Sequence, residues 1–507
     1  MEEVIDNSAL ERKLHNISPL FILWENIKKL IFPALIAVFG VGSRSSSWEI
    51  YALGGAALIS VISIIQFKFY RYWLEDDQIR VKEGIIFRNL RQVKYNKIQN
   101  LNLIQGPLHR IFGVVKVQLE SASGGAPEAI INVVSLDAVK ELQQILQKQD
   151  GVDEANEVEP TEAKKEQDSI LKLSFGEIVR YGLISNKGLI AVAVFFGFIS
   201  QFIGDDNPKN IRSAIKTGVN YVSDGVQSMV PETSMLGTIV FAFIMLIIAL
   251  SVLWILSIGM AWLKFHNFNL TKKNSKLAAS LGLLTKLQAT IPTQRIQTIT
   301  VHNSWLHQIF DRVGVTVETA GGVNTEQQGV TMKQVAPVLP KAQRLEFLEQ
   351  IQSDQEWQNL HWQPVEARAW KRVFKASVFT WGLLLLPLIV HSVWTYAIAF
   401  PVMIIWSFFY AKAYIKNTGY FITDRMAAFK SGVVFRKETY VRIPKVQTLR
   451  IKENFFDRRH KMAKLELDTA GATPGAHHIE IPYISYETAE KLYAQVTANI
   501  KDIEFEW

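Results

Sequence analysis

Apolar positions follow two patterns that alternate three times along the chain. Long apolar runs come in pairs, 30–42 with 50–65, 188–203 with 236–262, and 376–390 with 392–410. A bilayer core of about 30 Å needs about 20 helical residues. The run 236–262, LGTIVFAFIMLIIALSVLWILSIGMAW, meets this without one charge. The first members of the pairs are shorter, a length that also suits interfacial or re-entrant helices, but pairing argues for helical hairpins that return the chain to the side it left. The expectation is six transmembrane helices in three hairpins. Between the pairs the period falls to two: Val115, Val117 and Leu119 alternate with Lys116, Gln118 and Glu120, as Val313, Val315 and Val317 do with Gly314, Thr316 and Glu318. Such alternation marks strands with one buried face.

These β-patterned segments are copies of one another. With Gly84, Gly282 and Gly432 in register, offsets of 198 and 348, the following forty positions align without a gap. Ile98-Gln99-Asn100 meets Ile296-Gln297-Thr298 and Val446-Gln447-Thr448. Leu108 meets Leu306 and Phe456, and Glu120-Ser121-Ala122 meets Glu318-Thr319-Ala320 and Asp468-Thr469-Ala470. Upstream, Tyr72-Trp73-Leu74-Glu75-Asp76 and Tyr420-Phe421-Ile422-Thr423-Asp424 lie twelve residues before their glycines. The middle counterpart, starting at Phe268, lies fourteen before, which predicts a hairpin two residues longer. The glycines suit hairpin turns. Each copy closes in a helical stretch, 135–146 and 485–500 capped by Ser135 and Ser485, and 341–351 after Pro340. The predicted class is an α+β membrane protein in which each hairpin is followed by a small β-barrel or sandwich with a C-terminal helix.

The expected organisation is an N-terminal segment with the first hairpin (1–66), a first domain (67–149), an acidic disordered linker (150–168), a second hairpin (169–263) with an outer loop at 204–235, a second domain (264–352), a third hairpin (353–411) and a third domain (412–507). Lys28, Lys29, Lys68, Arg71, Lys264 and Lys412 flank the hairpins, whereas their turns hold only Arg44 and His391 apart from the longer loop. By the positive-inside rule both termini and all three domains are cytoplasmic, in a cell membrane crossed several times. Residues 1–20 lack the pattern of a cleaved signal peptide.

Composition narrows the chemistry. The absence of Cys excludes disulfides, zinc-thiolate sites, iron–sulfur clusters and a Cys nucleophile. No Gly-rich phosphate loop, HExxH or nucleophile elbow occurs. His477-His478 stand adjacent on a strand and point to opposite faces, so neither a metal nor a cofactor is expected, and the cluster Asp457–Lys461 reads as a solvated loop because its residue types differ between copies. Charge, in contrast, is informative. Residues 67–127 hold ten Lys/Arg against five Asp/Glu, 264–322 seven against two, and 414–484 thirteen against seven, while the whole chain is +8. The repeats therefore carry the basic excess. Lys82, Arg88 and Arg91 flank Gly84, Lys286 follows Gly282, and Lys430, Arg436 and Lys437 flank Gly432. Each Lys or Arg close to an anionic leaflet contributes about 1 kcal/mol of attraction. No nucleic-acid reader motif accompanies these residues.

The hairpin, the Tyr-x-[Leu/Ile]-x-Asp motif at Tyr72 and Tyr420, the Gly turn, the Gln99, Gln297 and Gln447 strand and the Glu/Asp-[Ser/Thr]-Ala end resemble the bacterial pleckstrin-homology-like (PH-like) family, in its YdbS/YdbT-like membrane branch. Three hairpins with three such domains is similar to the YdbT-like architecture, and the resemblance covers nearly the whole chain. It implies a PH-like barrel and membrane residence but not a catalytic activity, so no enzyme is expected, and it makes the basic hairpin residues named above candidates for binding lipid headgroups or a partner, beside their reading as solvated hairpin edges with a positive-inside bias. It also implies anionic inner-leaflet lipids and a smaller one-hairpin PH-like paralogue as partners, and a part in protecting the envelope from membrane stress. Two function classes are left: a non-catalytic membrane scaffold that binds lipid or protein through its PH-like domains, and a transporter or permeation component with the same domains as regulators.

Overall fold

The computed structural model describes residues 12–13, 17–21, 69–84, 88–121, 128–149, 169–185, 235–319, 333–469 and 478–502, isolated positions apart. The first hairpin, the 188–203 run, the 204–235 loop and the acidic linker lie outside the described residues, single positions aside.

Each copy is two antiparallel sheets joined at a corner. In the first domain β2 (Arg71–Leu74), β3 (Gln78–Glu83) and β4 (Asn89–Lys94) make one sheet, the chain turns through a 3-10 turn at Tyr95–Lys97, and β5 (Ile98–Gln105), β6 (Val114–Ser121) and β7 (Ala129–Ser135) make the other. The second domain repeats this with β9 (Asn269–Lys273), β10 (Lys276–Leu281), β11 (Lys286–Pro292), a corner at Thr293–Arg295, β12 (Ile296–Ser304), β13 (Arg312–Thr319) and β14 (Gln334–Pro340). The third has β16 (Gly419–Ile422), β17 (Met426–Ser431), β18 (Phe435–Arg442), a corner at Ile443–Lys445, β19 (Val446–Lys452), β20 (Met462–Thr469) and β21 (His478–Ser485). A one-turn helix joins the fourth and fifth strands: α1 (Pro107–Ile111), α5 (Trp305–Ile309) and α9 (Phe455–Arg459). A longer helix closes each domain: α2 (Leu136–Gln149), α6 (Arg344–Ile351) and α10 (Tyr486–Asp502). Ser135 and Ser485 cap α2 and α10, their Oγ atoms accepting the N–H of Ala138 at 3.3 Å and of Thr488 at 3.1 Å. The alternating residues Val115, Val117, Leu119, Val313, Val315 and Val317 are all buried, as a one-faced strand requires.

A further strand precedes each hairpin. β1 (Arg12–Lys13) pairs with β2, β8 (Ser169–Lys172) with β9, and β15 (Gln363–Pro364) with β16. The helices are thus insertions into one sheet, and the chain leaves and re-enters that sheet along neighbouring strands. Between them stand α3 (Phe175–Ile184), capped by Ser174, and α4 (Met235–Phe265) in the second insertion, and α7 (Trp370–His391) and α8 (Val393–Asn417) in the third. The Ser257 hydroxyl donates to the Gly182 carbonyl at 2.7 Å and fixes α4 on α3, while Ser377 and Ser407 hydrogen-bond at 2.9 Å between α7 and α8.

Four expectations are corrected, the last in part. Six spanning helices were expected; among the described residues two are long and apolar enough, Leu246–Phe265 and Ala397–Asn417. Helix α7 carries Lys371, Arg372 and Lys375 in its first two turns and no charged residue in 376–391. The middle hairpin is not two residues longer: Asn269 pairs with Ser280 as Arg71 does with Lys82 and Gly419 with Lys430, so the 198 and 348 offsets hold through the first sheet. Nor is the barrel closed, because the strand edges on either side of each corner are not hydrogen-bonded to each other. The cluster Asp457–Lys461 is solvated at Arg458 to Lys461 but not at Asp457. Asp457 is buried in α9, forms an ion pair with Arg372 of α7, and receives the Asn454 N–H on Oδ2 at 3.1 Å.

The turn glycines have φ of +104° at Gly84, +108° at Gly282 and +109° at Gly432. A Cβ at Gly282 would overlap the Thr285 carbonyl oxygen, and one at Gly432 that of Phe435. Gly282→Ala and Gly432→Ala are each expected to cost about 1–3 kcal/mol, read as a lower urea midpoint of the solubilised protein by tryptophan fluorescence; an unchanged midpoint contradicts this account of the turn.

Candidate functional site at the domain seams

Where two domains meet, the edges left open at their corners pair with each other. β5 of the first domain pairs with β11 of the second, Gln105 opposite Lys286, Ile104 opposite Leu287 and Leu103 opposite Gln288. β12 of the second pairs with β18 of the third over seven positions, from Thr298 opposite Val441 to Ser304 opposite Phe435. Allowing for the repeat offsets, the two seams have the same register. Two seven-stranded sheets therefore run through pairs of domains, β7-β6-β5-β11-β10-β9-β8 and β14-β13-β12-β18-β17-β16-β15.

Side chains lock the second seam. Arg344 at the start of α6 donates Nη1 to both Glu438 oxygens, at 3.0 and 2.8 Å, and the Tyr440 hydroxyl donates to Glu438 at 2.7 Å. Trp357 is fully buried, its indole N–H donating to the Gln352 carbonyl at 2.8 Å and its ring centroid 5.2 Å from that of Tyr440. Trp362 stacks edge-on against Phe421 at 4.9 Å. The hydrophobic core of the second domain continues into Phe421, Met426, Ala428 and Tyr440 of the third. Burial draws the pKa of Tyr440 well above its usual value. It also pulls His307 down to about 4, so its Nδ1 remains an acceptor for the Ser304 N–H at 3.3 Å in the α5 capping box.

Corner residues carry a second layer of contact. Arg295 is buried at the first seam, its pKa lowered to about 10 by burial and raised in part by the charge of Glu120 in the preceding domain. The equivalent Lys445 is buried too, and Glu318, the equivalent of Glu120, is half-buried. Sequence reasoning missed this constellation, although the signal was present: a basic residue recurs at Lys97, Arg295 and Lys445, and an acidic one at Glu120, Glu318 and Asp468.

The basic hairpin residues are divided by this architecture. Lys286, Arg436 and Lys437 lie in seam strands, and their side chains are exposed beyond the pairing. Lys430 turns inward, its Nζ 4.6 Å from the centre of the Trp362 ring, and burial lowers its pKa. Lys82, Arg88 and Arg91 are exposed in the first domain, with Arg91 donating to the Glu128 carbonyl at 3.4 Å. The tips beside the seam lysines and arginines are apolar. Leu284 and Phe435 are exposed at the turns, Phe435 by 69%. The preceding domain brings exposed Ile111, Trp305 and Ile309 to them, since Arg110 donates to the Leu283 carbonyl at 3.0 Å and the Trp305 N–H to the Val434 carbonyl at 2.8 Å. The turns also meet the ends of the apolar helices. The N–H groups of Gly282 and Leu283 donate to the His266 and Leu263 carbonyls at the end of α4, and Asn417 at the end of α8 donates to the Gly432 carbonyl.

The model of the bacterial PH domain matches residues 30–150, 229–355 and 377–500, one match for each repeat with its helices. This chain belongs to the bacterial PH domain family. A curated relative, the UPF0699 transmembrane protein YdbT of Bacillus subtilis (strain 168), is 24% identical over 469 residues, 89% of this chain and 91% of that protein. No solved structure matches. Three bacterial PH domains in one chain thus account for the threefold register, and the seams are the places where these PH domains meet.

Removing Arg344 leaves Glu438 half-buried with the Tyr440 hydroxyl in place of its ion pair. Arg344→Ala is expected to cost about 1–3 kcal/mol, and Arg344→Ala/Glu438→Gln less than the two single changes together, measured by urea unfolding in detergent. Strict additivity would show that the pair does not couple the domains.

Proposed function

We propose that the chain is a non-catalytic membrane scaffold whose PH domains rest on the inner leaflet through their seam tips, held there by the helices inserted between their strands. The observation that carries this reading is the contact of the Gly282 and Gly432 turns with the ends of α4 and α8, because it brings each turn to the level where a spanning helix leaves the bilayer. At that level Leu284, Trp305, Ile309 and Phe435 enter the acyl boundary, while Lys286, Arg436, Lys437 and Arg110 meet anionic headgroups. Pairing of β8 with β9 and of β15 with β16 ties both ends of each insertion to one sheet, so helices that cross the membrane do so as hairpins with all three domains on one side. The positive-inside rule, applied to Lys264 and Lys412, supports the cytoplasmic side for them. Lys82, Arg88 and Arg91, exposed at the equivalent hairpin of the first domain, add to the basic charge. Membrane residence agrees with the name of the Bacillus relative.

The chain has no Cys, so single Leu284→Cys and Phe435→Cys variants of the full protein can carry an environment-sensitive dye in proteoliposomes, with Lys491→Cys on α10 as the control. The expectation is quenching at 284 and 435 by lipids spin-labelled near the headgroup and none at 491. Quenching is expected to grow with anionic lipid, to fall with salt, and to lose both dependences in Lys286→Ala/Arg436→Ala/Lys437→Ala. Dyes at 284 and 435 that behave like the one at 491 contradict the reading.

A further inference from the structure

The seam repeats twice inside the chain and then stops, which leaves two dissimilar and complementary ends. Among the described residues β4 ends the sheet β1-β2-β3-β4, whereas its counterparts β11 and β18 are each covered by a preceding domain. At the other end β19 terminates the sheet β19-β20-β21, whereas its counterparts β5 and β12 each receive a following domain. The residues around β19 show the missing cover. Gln447 is exposed where Gln297 is buried. Phe456 is 62% exposed where Leu108 and Leu306 are half-buried, and Phe455 beside it is 65% exposed. The corner charges repeat the contrast: Arg295 and Lys445 are buried inside the array, but Lys97 is exposed at one end and Asp468, the counterpart of Glu120, is exposed at the other.

We infer that a second copy of this chain docks head to tail, with β19 of one copy antiparallel to β4 of the next. The internal register carried to the ends places Ile451 opposite Leu90, Lys452 opposite Asn89 and Thr448 opposite Val93. Leu90, 54% exposed on a terminal strand, gains an apolar partner in Ile451. Glu453 comes opposite Arg88, and Lys97 meets Asp468 as Arg295 meets Glu120 within the chain. One pair opposes the contact: Arg450 faces Arg91. Like charges on an edge strand guard against runaway pairing, so the contact is reversible rather than obligate. A head-to-tail contact is heterologous and extends into a ring or a row. Because the step from one copy to the next repeats the internal step, it presents the tips of successive copies on one face.

The test uses Leu90→Cys/Ile451→Cys in the otherwise Cys-free full chain, reconstituted at low density in liposomes and treated with a short bis-thiosulfonate. The expected result is a ladder of dimers and higher species. It falls several-fold in Lys97→Asp or Asp468→Lys, returns in the Lys97→Asp/Asp468→Lys swap, and rises in Arg91→Glu. A chain that stays monomeric, or a ladder that the swap does not restore, overturns the inference. A ladder of equal yield from Leu90→Cys/Lys452→Cys, one residue out of register, overturns it as well. A hairpin of another PH-domain protein seated on β19 would leave the ladder absent and so count against a second copy. Because the readout is chain-to-chain crosslinking, failure here leaves the lipid reading intact, and failure of tip quenching leaves this one intact.

Discussion

Backbone hydrogen bonding across the domain edges is the constraint on which the rest of this structure depends. A PH-type domain that bends from one sheet to another at a corner leaves two strand edges open, and open edges are liabilities that proteins cover or guard. Here the first edge of the second domain is covered by the domain before it and its second edge by the domain after it, in one shared register. The covered edges explain why the barrel is not closed, why corner cations such as Arg295 and Lys445 are buried, and why the core of the second domain runs on into the third. The segment with Trp357 and Trp362 belongs to the same solution. It reads as a linker by position but is packed against Tyr440 and Phe421 over the second seam.

The seams also decide where the basic residues stand. A hairpin that supplies its third strand to a neighbour cannot move freely, so its turn is held between the end of an apolar helix and the one-turn helix of the preceding domain. That fixed turn collects exposed apolar side chains at its tip and cations at its base, an amphipathic order suited to a membrane surface. Lys430 departs from this order because it faces the Trp362 ring and lies half-buried near Arg344 and Glu438, within the seam rather than on its outer face.

Much of this was legible in the sequence. The offsets of 198 and 348, the alternating strands, the turn glycines and the serine caps at Ser135 and Ser485 all reappear, because each is a local consequence of side-chain periodicity or backbone conformation. Three features were not legible, for physical reasons. Seam pairing is made by main-chain groups, and a strand alternates in the same way whether its edge is free or paired. The strands Arg12–Lys13 and Gln363–Pro364 have two residues each and carry no period at all. Phe268 misled the alignment of the middle copy because an aromatic residue at the start of a strand resembles Tyr72 more than Leu270 does, although pairing of Leu270 with Ala279 sets the true register. The corner cations and their acidic partners were visible as recurring residues, but nothing in one sequence said that the two positions face each other across domains.

The most direct test of shared sheets is a disulfide across the second seam within one chain. Thr300 and Thr439 stand opposite each other with their hydroxyl oxygens 3.4 Å apart, and the chain has no other thiol. Thr300→Cys/Thr439→Cys is expected to oxidise almost completely within the monomer, seen as an intact closed form under non-reducing electrophoresis after cleavage between the two sites, while Thr300→Cys/Lys437→Cys, two residues out of register, stays reduced. Failure of the in-register pair to close, or equal closure of both, would mean that the domains do not share a sheet.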